Sequence, residues 1–257
     1  MKYFSDFSYE SYKNLLSTGK NCGYSFQTFT PQNINKANSI FIRHDIDIDL
    51  KDALNMAVLE HKMGIKTTYF LMLRSPVYNL FSRENNEYVK QIISLGHQIG
   101  LHYDEGYYSD KSKDLNDLIE QEVQVMKTML GVEIPIISFH QPSKRVLNNE
   151  VKLTKWLNTY DQEDMKGIYY MSDSNMQFKE NPVEAIKSKK HDRIQILIHP
   201  VWWHKNSIST EEIWARAITR AFDQMQTQIL ETERAYGDKK VFKIGDVSVH
   251  TSDAESG

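Results

Sequence analysis

Hydrophobic positions along this chain follow two alternating periods. Short runs of β-branched and aromatic residues recur at intervals, and the stretches between them place apolar residues at helical spacing. Ser8–Ser17 is predicted as a short helix, and Gly23–Phe29 alternates like a strand. Ile40–Ile42 reads as a buried strand. From Leu50 to Met63, apolar Leu50, Ala53, Leu54, Ala57 and Val58 share one helical face, and Gly64 stops the helix. A second buried strand covers Thr67–Leu73, a helix covers 85–95 and ends at Gly96, and a third strand covers Gln98–His102. The amphipathic helix Leu115–Leu130 is closed by Gly131 and precedes a fourth strand, Ile134–His140. The second half is less regular. Val151–Leu157 reads as helical, Gly167–Ser172 as a fifth strand, Asn181–Lys190 as a helix and Arg193–His199 as a sixth strand. Glu211–Glu233 reads as a long helix covering that strand, and Val241–Ile244 is strand-like ahead of a polar end.

Strands that alternate with helices imply βα units and a mainly parallel sheet. About six or seven such units point to an α/β barrel rather than an open sheet, within the roughly 200–250 residues that such barrels occupy as one domain. No repeat or linker divides the chain, so residues 1–257 are expected to form one domain. Residues 1–38 would be a lead-in, 39–204 the core, and 205–257 a covering helix and tail.

Composition narrows the partners. The net charge is −3 with no long basic tract, so nucleic acid is not an expected partner. Cys22 is the only cysteine, which rules out an intramolecular disulfide and a cysteine-rich zinc site. No stretch approaches the ~18 apolar residues of a membrane span. Met1–Phe7 lacks an apolar signal-peptide core, so a cytoplasmic location is expected.

Polar residues gather where the strands end. Arg43, His44, Asp45, Asp47 and Asp49 crowd the end of the strand that begins at Ile40. Side chains two apart on a strand share a face, which puts Asp45 and Asp47 in one place. Two close carboxylates repel unless a cation or a shared proton lies between them. Asp49 precedes Leu50 and reads as the N-cap of the following helix. His102, His140, Asp173 and His199 mark the ends of later strands. Catalytic groups of parallel barrels sit at this end. Three of the nine histidines thus fall beside two acids, a donor set suited to zinc or a similar divalent ion. Such an ion polarises a carbonyl and acidifies water. A carboxylate off the metal can take a proton, and a separate histidine can return one to a leaving group. This is the equipment for hydrolysing an amide or ester. No Gly-x-Ser-x-Gly elbow, Walker loop or dinucleotide fingerprint competes with it. A paired-acid glycosidase stays open, but it leaves the convergence of histidines without a use.

With these residues in view, the chain resembles the polysaccharide deacetylase superfamily, the NodB-homology or carbohydrate esterase family four group, over roughly residues 39–204. It is most similar to the divergent members whose first motif reads Arg-His-Asp-x-Asp. The resemblance implies an irregular (β/α) barrel and a divalent metal, zinc in many members, used to remove N-acetyl groups from sugars. On Arg43-His-Asp-Ile-Asp47 it implies that Asp45 is the general base and Asp47 a metal ligand. Gly96-His-Gln-Ile-Gly-Leu-His102 resembles the second motif, with His102 as a metal ligand; the family's second histidine, four residues on, is replaced by Gly106. Phe139-His-Gln-Pro-Ser143 resembles the third motif with His140 in place of arginine, and His140 is the candidate for the missing ligand. Leu197-Ile-His-Pro-Val-Trp-Trp203 resembles the last motif, which makes His199 the general acid.

Supporting positions follow. Asp173, in Ser172-Asp-Ser-Asn175, either orients His199 or merely ends a strand. Arg43 is expected to pair with Asp45 and keep it ionised. Tyr103 and Trp202 offer aromatic faces to a sugar, while Trp203 reads as packing. Arg74 either holds an acidic sugar or nucleotide-sugar phosphate or pairs with a strand-end acid. His44 and His97 point away from the site and read as structural. Tyr107–Asp114 reads as a mobile loop near the site. The implied partner is an acylated amino sugar, free, nucleotide-linked or within an oligosaccharide. The alternative is an inactive relative that binds sugar or protein in a biosynthetic complex. Oligomeric state is not legible.

Overall fold

Strand β2 (Ser39–Ile46) is buried along its whole length, as its unbroken β-branched and aromatic run demands. It pairs in parallel with β8 (Arg193–Ile198) on one side and β3 (Thr68–Leu71) on the other. From β3 the sheet continues through β4 (Gln98–Asp104) and β5 (Ile136–His140) to the short β6 (Leu157–Asn158). From β8 it continues to β7 (Tyr169–Ser172). The short β1 (Ser25–Phe26) pairs with Ser39 and Ile40, ahead of the stretch of β2 taken by β3. The computed structural model describes residues 4–108 and 114–233, and its sheet holds eight parallel strands among them. The sheet curls into a distorted (β/α) barrel whose end strands, β6 and β7, are not hydrogen-bonded to each other.

Helices α1 (Tyr9–Asn21), α2 (Leu50–Lys62), α3 (Arg83–Ser94), α4 (Leu115–Leu130), the one-turn α5 (Lys144–Leu147) and α6 (Pro182–Ser188) accompany the strands. Asp49 caps α2 by accepting from the Lys51 and Asp52 N–H groups, as its position before an apolar-periodic run predicts. Alternation along the strands sorts the core into three groups. Ile40 and Ile42, with Ile194, Ile196 and Ile198, face outward and pack against Tyr12, Leu15 and Leu16 of α1 and Ile186 of α6. Tyr69, Ile99, Leu101, Ile137 and Phe139 face outward onto Leu54, Val89, Ile92, Ile119 and Val123 of α2, α3 and α4. Phe29, Ile34, Phe41, Phe70 and Ile136 form a separate buried cluster that fills the barrel floor. Gly100 allows this filling, because a Cβ there would lie 2.5 Å from the Phe70 ring. Truncating Phe70 to alanine would cost roughly 3–5 kcal/mol through lost burial and the cavity left behind. With the floor filled by apolar rings, the polar side chains gather at the C-terminal ends of the strands.

Residues Met1–Ile208 form one compact unit, and Ser209–Gly257 a second. The described part of the second is α7 (Thr210–Thr232), capped by Ser209 and carrying an Arg216–Glu212 pair at 2.8 Å. The strand-like stretch Val241–Ile244 lies outside the described residues, as do positions 109–113 of the loop expected near the site.

Two expected elements differ. Val151–Leu157 is not helical; it runs irregularly into β6, and Val151, Leu153 and Trp156 use their apolar faces against the α3–α4 side of the core. The helix in this region is α5, started by Ser143, whose hydroxyl accepts from the Val146 N–H. The strand expected over Gly23–Phe29 shortens to β1, since Gly23 adopts φ 81° in the turn after α1.

Candidate functional site

Each strand end delivers one or two polar side chains to the barrel mouth. From β2 come Arg43 and Asp45, and Asp47 follows just past its end; alternation gives all three one face. Parallel register sets His102 beside Ser138, and Asp104 beside His140. His140 therefore stands one pleat above His102 on the same face, close enough to share a ligand.

The distances bear on that. His102 Nε2 lies 3.0 Å from Asp47 Oδ1, and His140 Nδ1 lies 3.3 Å from it. The two nitrogens are 3.3 Å apart. Asp47 Oδ1 is buried, yet no donor is aligned to hydrogen-bond it. Among the described residues, Asp47, His102 and His140 form a group able to hold a metal ion. Ligand atoms on a tetrahedron with bonds of about 2.0–2.1 Å stand about 3.3–3.4 Å apart. The observed triangle has that size, and one oxygen with two imidazole nitrogens is a zinc-type donor set. The residues fit a divalent ion.

The surroundings orient these ligands. His102 Nδ1 lies 2.7 Å from Ser138 Oγ. A proton on Nδ1, donated to Ser138, leaves the Nε2 lone pair facing Asp47 and His140. Ser138 Oγ in turn stands 3.5 Å from Asp45 Oδ1. Ser138 was absent from the sequence-based set, although its place two residues before His140 puts it on the same face.

Arg43 and Asp45 form a buried bidentate pair, with Nε to Oδ1 at 2.8 Å and Nη2 to Oδ2 at 2.6 Å. The guanidinium also donates to Thr159 Oγ1 at 3.0 Å and Tyr160 Oη at 3.1 Å, so every nitrogen of its fork is used. Burial pushes the Asp45 carboxyl up, but Arg43 and nearby His102 outweigh it and hold the group below the usual carboxylate range. Burial opposes the Arg43 charge, and Asp45 more than restores it. Asp47 is held low in the same manner, with His102 and His140 overcoming its burial.

His199 follows β8 on the other side of the mouth. Its Nε2 is 3.8 Å from Asp47 Oδ2, and its Nδ1 donates to Asp173 Oδ1 at 2.6 Å. Asp173 is fully buried and also accepts from the His199 N–H and from Trp203 Nε1 at 2.8 Å. Of the two readings of Asp173, this geometry is the orienting one. Burial lowers the His199 imidazole, but Asp173 dominates and the group is pushed up to about 9. It is therefore protonated at neutral pH, with Nε2 toward the mouth.

The remaining expected positions separate. Trp202 is half-buried with its ring 6.3 Å from the His199 ring, at the mouth. Trp203 is buried against Phe7 and Tyr12. Tyr103 is a correction: it has no exposed surface, and its ring sits in the outer apolar layer against Phe139 and Tyr108. The period of two that brings His102 inward turns Tyr103 outward. Arg74 pairs with an acid, though not one at a strand end. Its Nε donates to Glu122 of α4 at 3.0 Å and to Tyr108 Oη at 3.1 Å, and its guanidinium covers the Tyr107 ring. His44 and His97 face away from the mouth. His44 Nε2 meets Glu60 Oε1 at 2.6 Å, and His97 Nε2 meets the Ala57 carbonyl at 3.0 Å.

No family model matches the chain, and no curated protein matches it. Similarity appears among solved structures. The Xyl-CE4 domain of a multidomain xylanase from the hindgut metagenome of Trinervitermes trinervoides is 14% identical, with a TM-score of 0.43 over 74% of this chain and 83% of that one. The chitin deacetylase of the fungal pathogen Colletotrichum lindemuthianum is 12% identical, with a TM-score of 0.40 over 73% and 84%. A CE4-family pseudoenzyme from Bacillus anthracis is 15% identical, with a TM-score of 0.40 over 72% and 60%.

Proposed function

We propose that this chain is a metal-dependent hydrolase that removes an N-acyl group, acetyl in the first instance, from an amino sugar. The observation that carries the reading is the triangle of Asp47 Oδ1, His102 Nε2 and His140 Nδ1, flanked by a buried carboxylate on one side and an imidazole held protonated on the other. A divalent ion held by those three residues, zinc by the nature of the donors, would supply Lewis acidity toward the acyl carbonyl and a lowered pKa for water.

The protein's own groups divide the proton transfers. Asp45 stays ionised under the charge of Arg43 and accepts a proton from the attacking water. Arg43 fixes the carboxylate plane through its two parallel hydrogen bonds and is itself held by Thr159 and Tyr160. His199, protonated at Nε2 and anchored at Nδ1 by Asp173, gives a proton to the departing amine. Trp202 borders the acid and offers a sugar a ring face. His140 takes the place of the histidine that the resemblance would have put at Gly106.

The test is acetate or other acyl release from N-acylated amino sugars, measured beside reducing-sugar release, which would instead signal glycoside cleavage. Asp45→Asn and His199→Ala should each lower kcat by about 10²-fold or more with metal content intact. An activated ester, whose leaving group needs no proton, should restore the His199 variant and not the Asp45 variant. Equal restoration of both, or of neither, overturns the assignment.

A further inference from the structure

The seam between β6 and β7 is bridged by residues 159–168 instead of a hydrogen-bonded strand pair. Under that bridge lies a cavity of about 350 Å³ whose lining includes Thr159, Tyr160, Met165, Ile168, Tyr170 and Gln195. It lies below the mouth: Gln195 is in register with Phe41 on β2 and Tyr170 on β7, whereas His199 lies beyond the end of β8.

Gln195 is the unusual member. Its flanking residues Ile194 and Ile196 face the outer apolar layer, so alternation turns its carboxamide into the barrel. It is 2% exposed, and its Oε1 has no hydrogen-bond partner. Buried polar atoms are nearly always paired, so an acceptor left open on a cavity wall marks a place for a donor. Two hydroxyls complement it. Thr159 Oγ1 and Tyr160 Oη each accept from Arg43, and each retains its own proton to give. The tyrosine rings and the Met165 and Ile168 side chains add apolar surface, and Asp161, Gln162 and Lys166 give the rest of the lining a polar and charged character. A ligand that fits must present hydrogen-bond donors and acceptors next to apolar surface. Sugars have that pattern, and the volume, near the low end of small-molecule sites, suits one ring rather than a chain.

We propose that the seam cavity is a binding site for a single monosaccharide unit, separate from the mouth. A ring seated there touches the two side chains that hold the Arg43 guanidinium, so its presence is transmitted to the Arg43–Asp45 pair. The site stands on its own residues and does not depend on the hydrolytic reading of the mouth.

The experiment is saturation-transfer NMR with glucose, glucosamine and N-acetylglucosamine as probes, on the full chain and on three variants. Asp47→Ala disables the mouth. Gln195→Met keeps volume and removes the open acceptor, and Tyr170→Ala removes a half-exposed wall without touching the buried layer. At least one probe should bind the Asp47 variant as it binds wild type. Binding should weaken about tenfold or more in both seam variants, the scale of a lost hydrogen bond or stacking face. In the Asp47 variant, the Arg43 side-chain resonances should shift as the probe is added. Binding lost in Asp47→Ala but unchanged in the seam variants would place all sugar at the mouth and overturn the proposal. So would failure of every probe to bind, or a crystal soak in which the cavity holds water only. Binding without any Arg43 shift would overturn the coupling.

Discussion

Replacing Asp173 by asparagine isolates the origin of the charge on His199. The carboxylate accepts from His199 Nδ1 at 2.6 Å and from the His199 N–H and Trp203 Nε1 behind it. Asparagine keeps the shape but offers only one oxygen. If that oxygen stays with Trp203, an amide N–H faces His199 Nδ1 and forces the other tautomer; if it turns to His199, the Trp203 N–H loses its acceptor. In both cases the imidazolium loses a charged partner. The wild-type group is pushed up to about 9 against its own burial, with Asp173 the largest raising influence and Asp47 and Asp45 behind it. A hydrogen bond to a charged group is worth about 1.5–3 kcal/mol. At about 1.4 kcal/mol per unit, the variant should titrate about 1–2 units lower. The assay is a pH titration of the His199 ring nitrogens by NMR in metal-free protein, where activity plays no part. In the active enzyme the sign follows directly. A general acid must be protonated, so rate falls as pH rises through its pKa, and the variant should lose rate at a lower pH than wild type. A His199 titration unmoved by the substitution would refute the electrostatic role of Asp173 and leave it a packing residue.

Three further outcomes follow from buried charge. Glu60 accepts from Tyr12, His44, Thr67 and Tyr69 with no exposed surface, so Glu60→Gln leaves at least one donor facing an amide and should cost about 2–5 kcal/mol, read as a fall in Tm. Burial raises that carboxyl, but His44 and the other partners bring it down to about 2 from an ordinary 4.5. The folded-state value is lowered, so the stabilisation is complete above about 4.5 and is lost as pH falls through about 2; unfolding free energies from denaturant titrations across that window should fall by about 3 kcal/mol more in wild type than in the glutamine variant. Arg43→Met strands Asp45 without its partner and should destabilise the fold by about 3–5 kcal/mol while moving the acid limb of activity to higher pH; an unchanged pH–rate profile in folded variant would assign Arg43 to packing alone.

Much of the candidate site is legible because it follows a period of two along strands whose ends are marked by charge. Asp45, Asp47, His102, His140 and His199 are each readable in that way, and Asp49 is readable as a cap. Tyr103 was misread by neglecting the same rule that set His44 aside: neighbours on a strand face opposite ways. What pairs with what across the sheet was not legible. The closeness of His140 to His102 depends on β4–β5 register, and the hold of Asp173 on His199 spans 26 residues. Arg74 meets Glu122 across 48 positions, a contact only the folded chain creates. Val151–Leu157 shows the converse. Its apolar spacing is real, but tertiary packing uses it without a helix. Ser143 placed α5 nearby in a stretch too short and polar to carry a period.

The hydrolytic reading stands or falls on whether Asp47, His102 and His140 together hold one divalent ion. Its most direct test is zinc titration calorimetry on metal-stripped protein, run on wild type, His102→Ala, His140→Ala and the control His97→Ala. Wild type and control should bind one ion per chain, and each ligand variant, His140→Ala included, should lose about 10²-fold or more in affinity. Zinc bound equally well by His140→Ala would remove the third ligand, and no stoichiometric binding by wild type would rule out a metal at this mouth altogether.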